Sequence, residues 1–380
     1  MADATAVTVE AFGRPRIKPE HRAYRTVDGN VRVGSVIHGI GAEIADPQGW
    51  VWTLVETMDG TRGPSEVVAE VLRAHPELSG EDAREAMADL LAAGFVDDAD
   101  VSAPLPLREQ DRYSRGVPLL RWMDLAPRSS PWDAQLRLRE ARVLLIGVGG
   151  TGGHAAQALV ASGVGHVHCV DPDVVELSNL NRQPLYRESD LGRPKVEAAV
   201  ATLRALNSDV TVTGERKEVR GPQDLARLVS SARSPYDLLV LAADRPDELR
   251  RWTNRACLAA GLPWVDAGYR GPLVTAGVYV PGQGACWECL RDGEIARRDL
   301  RLGPGQDPES ASPRMPWNPA SAVTAGLSGA LLAHAAVALL TGVPALEPGF
   351  RFGVNLMLPG DPVDQRTPRH LDCPACGERA

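Results

Sequence analysis

The stretch Ala141–Gly153, ARVLLIGVGGTGG, constrains this chain more than any other. Arg142 to Ile146 reads as a short strand buried on both faces. Gly147, Gly149 and Gly152, with Gly150 between the last two, form a G-x-G-x-x-G that leads into the apolar run Ala155 to Val160. The unit is strand, tight turn and helix. Its glycines leave backbone room for a polyphosphate to sit on the N–H groups and positive dipole end of the following helix. The glycines alone also fit a mere tight turn. An acidic residue to hold ribose hydroxyls is expected about 20 residues on, at the tip of the next strand. Val167 to Val170 ends in Asp171, which favours the nucleotide reading.

A chain of 380 residues, 44% of them hydrophobic, is long enough for a full core and for two domains. A formal net charge of −8 argues against a nucleic-acid partner, because phosphate neutralisation needs a basic face. The N-terminus MADATAVTVE lacks a basic region followed by an apolar stretch, and the longest apolar run, Ala330 to Leu340, is expected to be too short for a membrane span. A soluble, cytoplasmic protein without a membrane partner is the resulting expectation. Four of the six cysteines fall in two pairs, Cys286-x-x-Cys289 and Cys373-x-x-Cys376. Two such knuckles supply four thiolates at the bite of tetrahedral Zn²⁺, the alternative being a reduced or redox-active pair. Cys169 and Cys257 read as small buried hydrophobes.

Taken in order, residues 1 to about 13 carry no pattern and read as a mobile tail. Ile17 to Tyr24 and Val31 to Ile37 read as strands of a hairpin around Asp28-Gly29. Helices are expected over Trp50 to Met58, over Ser65 to Ala74 with Ser65 as N-cap, and over Ser79 to Ala93 with Ser79 and Asp82 in capping register. The sum is a small winged-helix-like α+β domain over residues 14–98. Val101 to Leu107 is a linker, and Trp132 to Glu140 is an amphipathic stretch leading into the central strand. Beyond Asp171 come Asp173, Ser178-Asn179-Leu-Asn181-Arg182-Gln183 and Gly192-Arg193-Pro194-Lys195, which bring an amide, a guanidinium and an ammonium to the presumed phosphate site. Such donors suit a triphosphate better than a dinucleotide. The buried strand Asp237 to Ala243 exits at Asp244, where a carboxylate can hold Mg²⁺.

These motifs, in this order, resemble the ThiF, MoeB and ubiquitin-activating superfamily of adenylating enzymes, including its MccB-like members. The match runs through Arg112-Tyr-Ser-Arg115, the glycines at 147 to 152, Asp171-x-Asp173, Ser178 to Gln183, Lys195, Ala243-Asp244, both cysteine pairs and a closing helix, Ser321 to Gly342. The resemblance implies a Rossmann-like ThiF-type α/β domain over residues 111–380, with a mostly parallel sheet, zinc knuckles and a crossover loop over about residues 291–320. It implies that ATP is bound by Gly147, Gly149, Gly150, Gly152, Asp171, Asn179, Arg182, Gln183 and Lys195, and that Asp244 binds magnesium. Asp173 would stand near the reacting α-phosphate, and Arg115 would reach the triphosphate of the other subunit in a homodimer. The catalytic set so implied is Arg115, Asp173, Arg182, Lys195 and Asp244.

Residues 14–98 in turn resemble the PqqD-like family of peptide-recognition domains, through Leu54, Met58-Asp59-Gly60, Ser65, Val68, Val71-Leu72, Leu90-Leu91 and Gly94-Phe95. That resemblance implies a leader peptide added as a strand to the hairpin edge. A dimerisation or DNA-binding module is the alternative, and the few basic residues of Ser79 to Ala93 count against DNA. No cysteine lies between Cys289 and Cys373, where carrier-activating members usually offer a thiol nucleophile. The expected function is therefore adenylation of a precursor-peptide carboxylate. The alternatives are a sulfur-carrier activator and a non-catalytic leader-peptide scaffold. An NAD-dependent oxidoreductase is disfavoured by the phosphate-binding cations.

Overall fold

A computed structural model describes residues 8, 11–35, 39–230, 235–297, 301–306, 318–358 and 360–377. The chain divides into two compact units, residues 1–137 with 343–345, and residues 138–342 with 346–380.

In the first unit, β1 (Pro15–Ile17) pairs antiparallel with β5 (Val96–Asp98), and β2 (Tyr24–Arg25), β3 (Val31–Ser35) and β4 (Ile40–Ile44) form a three-stranded antiparallel sheet. Between them lie α1 (Trp50–Thr57), α2 (Pro64–Ala74) and α3 (Gly80–Ala92); α4 (Leu107–Arg112) and α5 (Gly116–Met123) follow β5. The apolar periodicity of α1, α2 and α3 buries Leu54, Val67, Val71, Met87 and Leu90, with Met58 just past α1, against Val31, Val33 and Phe95. Two expectations are corrected. Ile17 to Tyr24 is not one strand: Pro19, which lacks an amide proton for a ladder, opens a 3-10 turn, Pro19–His21, between β1 and β2. Ser65 is not the N-cap of α2; Gly63 is, with Pro64 at the first helical position and the Glu66 carboxylate accepting the Gly63 N–H at 2.8 Å. Ser79 does cap α3, its hydroxyl accepting the Asp82 N–H at 3.0 Å. β4, which follows β3, carries only the short alternation Ile40, Ala42, Ile44 as a sequence signal.

The second unit is an eight-stranded sheet in the order β13-β12-β11-β10-β9-β6-β7-β8. The chain enters it through α6 (Asp133–Glu140), β6 (Arg142–Ile146), α7 (Gly150–Ala161), β7 (His166–Val170), α8 (Lys195–Leu206) and β8 (Thr211–Glu215). It continues with α9 (Pro222–Ser230), β9 (Leu238–Leu241), α10 (Leu249–Ala260), β10 (Trp264–Arg270), β11 (Leu273–Tyr279) and α11 (Trp287–Arg297), then α12 (Ala322–Thr341), β12 (Phe350–Asn355) and β13 (Pro362–Arg366). From β8 to β10 the neighbours are parallel, and from β10 to β13 antiparallel. Leu144, Ile146, Leu239, Leu241, Trp264 and Tyr279 turn one face of the sheet toward α9, α10 and α11. Helices α7 and α12 pack on each other, and α12 also on β10 and β11.

The segment 291–320 does not begin as a loop. Arg291–Arg297 completes α11, and residues 298–300 and 307–317 of the expected crossover lie outside the described residues. The expectation of too short an apolar run is also corrected. With a mean hydropathy of 1.8 over 18 of its residues, the 20-residue α12 is long and apolar enough to cross a membrane by length and composition. Here Ala325, Ser328, Leu332, Ala333 and Ala336 bury one of its faces inside the unit.

Candidate active site

The glycine turn sits at the C-terminal end of β6, in the middle of the parallel strands, where ligands of open α/β sheets bind. Gly147 has φ +92, a left-handed conformation open to glycine, and its N–H donates to the Val170 carbonyl at 2.8 Å. Gly152 is required by contact: a Cβ there would lie 1.9 Å from the Gly147 carbonyl oxygen, so helix and strand approach as closely as a bare backbone permits. Gly149 caps α7, with Gln183 folded against it; the Gln183 Nε2 lies 3.7 Å from where a Gly149 Cβ would be.

Asp171 is buried at the tip of β7, and its two oxygens accept from the Val148 N–H and the Asp173 N–H, each at 2.9 Å. It thereby ties the glycine turn to the next loop. Burial pushes its carboxyl above the usual range, and the nearby Lys195 ammonium opposes that. Lys195, at the start of α8, is buried; its Nζ donates to Asp173 Oδ2 at 2.8 Å, and its backbone N–H to the Asp173 carbonyl at 2.9 Å. Asp173 remains exposed. Asn179 is held by the 3-10 turn Leu177–Asn179, its Oδ1 accepting the Glu176 N–H at 3.0 Å. The Arg182 Nη1 donates to the Ser178 carbonyl and to Asn181 Oδ1, both at 2.9 Å.

Asp244 follows β9, exposed and without an ion pair among the described residues. An exposed carboxylate with no cationic partner suits Mg²⁺, which keeps several waters and one or two carboxylates. The sequence reading missed Tyr269, on β10: burial raises its hydroxyl above the ordinary phenol range, and the charges of Arg182 and Asp244 act on it from opposite directions. A lone tyrosine in a strand offers no signal until the strand is known to end at the same crevice. Arg115 belongs to the first unit, where it caps α5. It is the one predicted site residue outside the second unit.

The four knuckle cysteines converge, with all Sγ atoms within 4.8 Å of one another. Cys286 lies 3.9 Å from Cys289 and 3.7 Å from Cys373, and Cys289 lies 3.5 Å from Cys376. A tetrahedron with Zn–S bonds of about 2.3 Å has S–S edges of about 3.8 Å, so the sulfurs fit a Cys₄ zinc centre. Asn254 Nδ2 donates to Cys286 Sγ at 3.6 Å and the His370 N–H to Cys289 Sγ at 3.5 Å, the contacts that orient thiolate ligands. Cys169 and Cys257 are buried, and burial raises the Cys169 thiol to about 12.

A sheet switching from parallel to antiparallel, a glycine turn with Asp171 behind it, and a Cys₄ cluster together define an adenylating α/β enzyme of the ThiF type. Residues 123–373 match the ThiF family, and the chain belongs to it. The SAMP-activating enzyme E1 of Haloferax volcanii is 34% identical over 275 residues, which is 72% of this chain and 91% of the relative. The molybdopterin-synthase adenylyltransferase of Escherichia coli is 34% identical over 190 residues, 50% of this chain and 70% of the relative. The sulfur carrier protein ThiS adenylyltransferase of Bacillus subtilis is 39% identical over 162 residues, 42% of this chain; there the match spans about half the relative's length, 46%. Among solved structures, E. coli MccB superposes with a TM-score of 0.74 at 24% identity, covering 96% of this chain and 97% of that one. MccB with AMPCPP and MccA superposes with a TM-score of 0.70 at 23% identity, covering 96% and 99%. At this identity the likeness is one of fold.

Proposed function

We propose that this chain is an ATP-dependent adenylyltransferase that activates the terminal carboxylate of a ribosomally made precursor peptide in natural-product maturation. The observation that carries the proposal is the convergence on a glycine turn, backed by buried Asp171, of Arg182, Lys195 and the strand end that carries Asp244, which has no ion pair among the described residues. A carboxylate is already ionised at neutral pH and needs no general base, so the catalytic task is to position it in line and to neutralise the departing pyrophosphate. Asp171 would hold the ribose, and Asn179, Arg182, Gln183 and Lys195 the phosphates. Lys195 also pairs with Asp173, which would stand near the α-phosphate. Asp244 would hold magnesium, which supplies charge neutralisation at the leaving oxygens. The peptide would occupy the first unit by adding to the sheet edge at β4, which has one strand neighbour among the described residues. MccB, which shares the fold along 96% of this chain, has been crystallised with N-formylated MccA, and this supports a peptide partner. The second reading, a sulfur-carrier activator, is favoured by the names of the sequence relatives.

ATP–pyrophosphate exchange tests the proposal. Peptides with a free C-terminal carboxylate should support exchange, and Asp244→Ala should lower it at least about a hundredfold through loss of charge stabilisation. Exchange supported only by a globular carrier ending in Gly-Gly would favour the second reading. Near-normal exchange by Asp244→Ala would remove Asp244 from the site.

A further inference from the structure

A cavity of about 430 Å³ opens in the second unit, floored by β10, β11 and β12 and walled by the N-terminal turn of α10 and by α11. Its lining includes no residue of the glycine turn but does include Tyr269, whose hydroxyl is acted on by the charges of Arg182 and Asp244. Register explains its floor: Asp266 pairs with Gly277 and Gly277 with Arg351, so one row of the sheet sets a carboxylate and a guanidinium on either side of a bare backbone. Asp266 is 2% exposed and anchors the whole group. It accepts from Arg250 Nε at 2.9 Å, from the Tyr279 hydroxyl at 3.2 Å and from Arg351 Nη2 at 3.5 Å, while Arg351 also donates to the Tyr279 oxygen at 3.1 Å.

Arg250 is therefore held by its inner nitrogen. Its two terminal nitrogens carry no hydrogen bond among the described residues, and Nη2 lies 3.4 Å from where a Gly268 Cβ would stand, over bare backbone of the cavity lining. A guanidinium fixed at Nε and open at both Nη atoms is a preorganised fork for a carboxylate, and little side-chain entropy remains to be lost when it binds one.

We propose that this cavity receives an acidic side chain from the peptide under activation, within the last three residues before the adenylated carboxylate, with Arg250 as the specificity-determining residue. The assignment of the acid to a peptide rests on the adenylation reading above; the carboxylate-binding fork does not.

Two arms on the full-length protein separate them. In the first, isothermal titration with glutarate should give binding that Arg250→Gln weakens at least about tenfold and Arg250→Lys, which keeps the charge but not the fork, weakens less. Equal binding by wild type and Arg250→Gln overturns the fork, whatever the enzyme's reaction. In the second arm, synthetic heptapeptide pools with a free C-terminus and one of the last three positions fixed as Glu or Gln are compared by ATP–pyrophosphate exchange. The Glu pools should be preferred about tenfold in kcat/KM, and Arg250→Gln should erase the preference with the KM for ATP unchanged. Exchange without a Glu preference, or a preference that survives Arg250→Gln, overturns the peptide assignment. Exchange with no pool at all, alongside Arg250-dependent glutarate binding, overturns the peptide-adenylation reading and leaves the fork standing.

Discussion

Two single residues carry consequences that can be measured without knowing the substrate. At Gly152 a methyl group would meet the Gly147 carbonyl at 1.9 Å, a backbone atom that cannot swing aside as a flexible side chain would. Gly152→Ala must push α7 off β6, and the expected cost is roughly 1–3 kcal/mol with loss of ATP affinity, read as a lower Tm and a weaker nucleotide titration. At His21 the argument concerns protons. The ring is buried in the first unit, edge-on to Phe95, and burial together with the Lys18 ammonium lowers its pKa to about 4. Below its unfolded value of about 6.5 the unfolded chain binds a proton that the folded chain refuses, so stability from this group is full above pH 6.5 and is lost as pH falls toward 4. Between neutrality and pH 5 the loss is about 2 kcal/mol. Denaturant titrations of wild type and His21→Leu should show a shallower pH slope for the variant; parallel slopes would mean that the ring is protonated in the fold.

At the scale of elements, α11 joins the terminal segment to the sheet through sulfur. Cys286 and Cys289 flank its first turn, Cys373 and Cys376 approach from 87 residues away, and Arg255 on α10 grips Glu288 of α11 through two bonds of 3.0 Å. We expect one zinc per chain, bound by these four thiolates. Structural zinc contributes on the order of 10 kcal/mol to local folding, so Cys373→Ser should lose metal by elemental analysis and amide protection over residues 370–377 together. Loss of one without the other would separate the knuckles from the fold. The elements that sequence reading located are those whose pattern is set by burial. β6 falls on Arg142–Ile146 because both faces are covered, and Ser79 and Gly342 bound α3 and α12 through caps with their own signatures. The elements it missed depend on distant partners. β4 alternates in half-exposed residues and is defined by pairing with β3, and the antiparallel strands β11 to β13 gain their place from β10. The same reason hid part of the site: Asp171 and Lys195 follow a local motif, whereas Asp266 and Arg351 meet through sheet register and Arg250 reaches them from α10, so they cannot be paired along the chain.

For the whole molecule, the open matter is how many chains make one active site. Every site residue proposed here except Arg115 lies in the second unit, and Arg115 caps α5 in the first. The family resemblance assigns that arginine to the triphosphate of a partner subunit, and we propose a homodimer whose sites are completed in trans. The charge argument supports it, because a transferring phosphoryl group is stabilised by cations from several directions and Arg182 and Lys195 both come from one loop and the helix behind it. Symmetry then makes a quantitative forecast. Arg115→Ala and Asp244→Ala should each be nearly inactive in pyrophosphate exchange. After subunit exchange in an equimolar mixture, half the dimers are hybrids, and one of the two sites in each hybrid combines an intact Asp244 with a partner's intact Arg115. Activity should therefore recover to about a quarter of wild type. A mixture shown by mass spectrometry to contain hybrids, yet as inactive as its parents, would place Arg115 in the site of its own chain or outside any site.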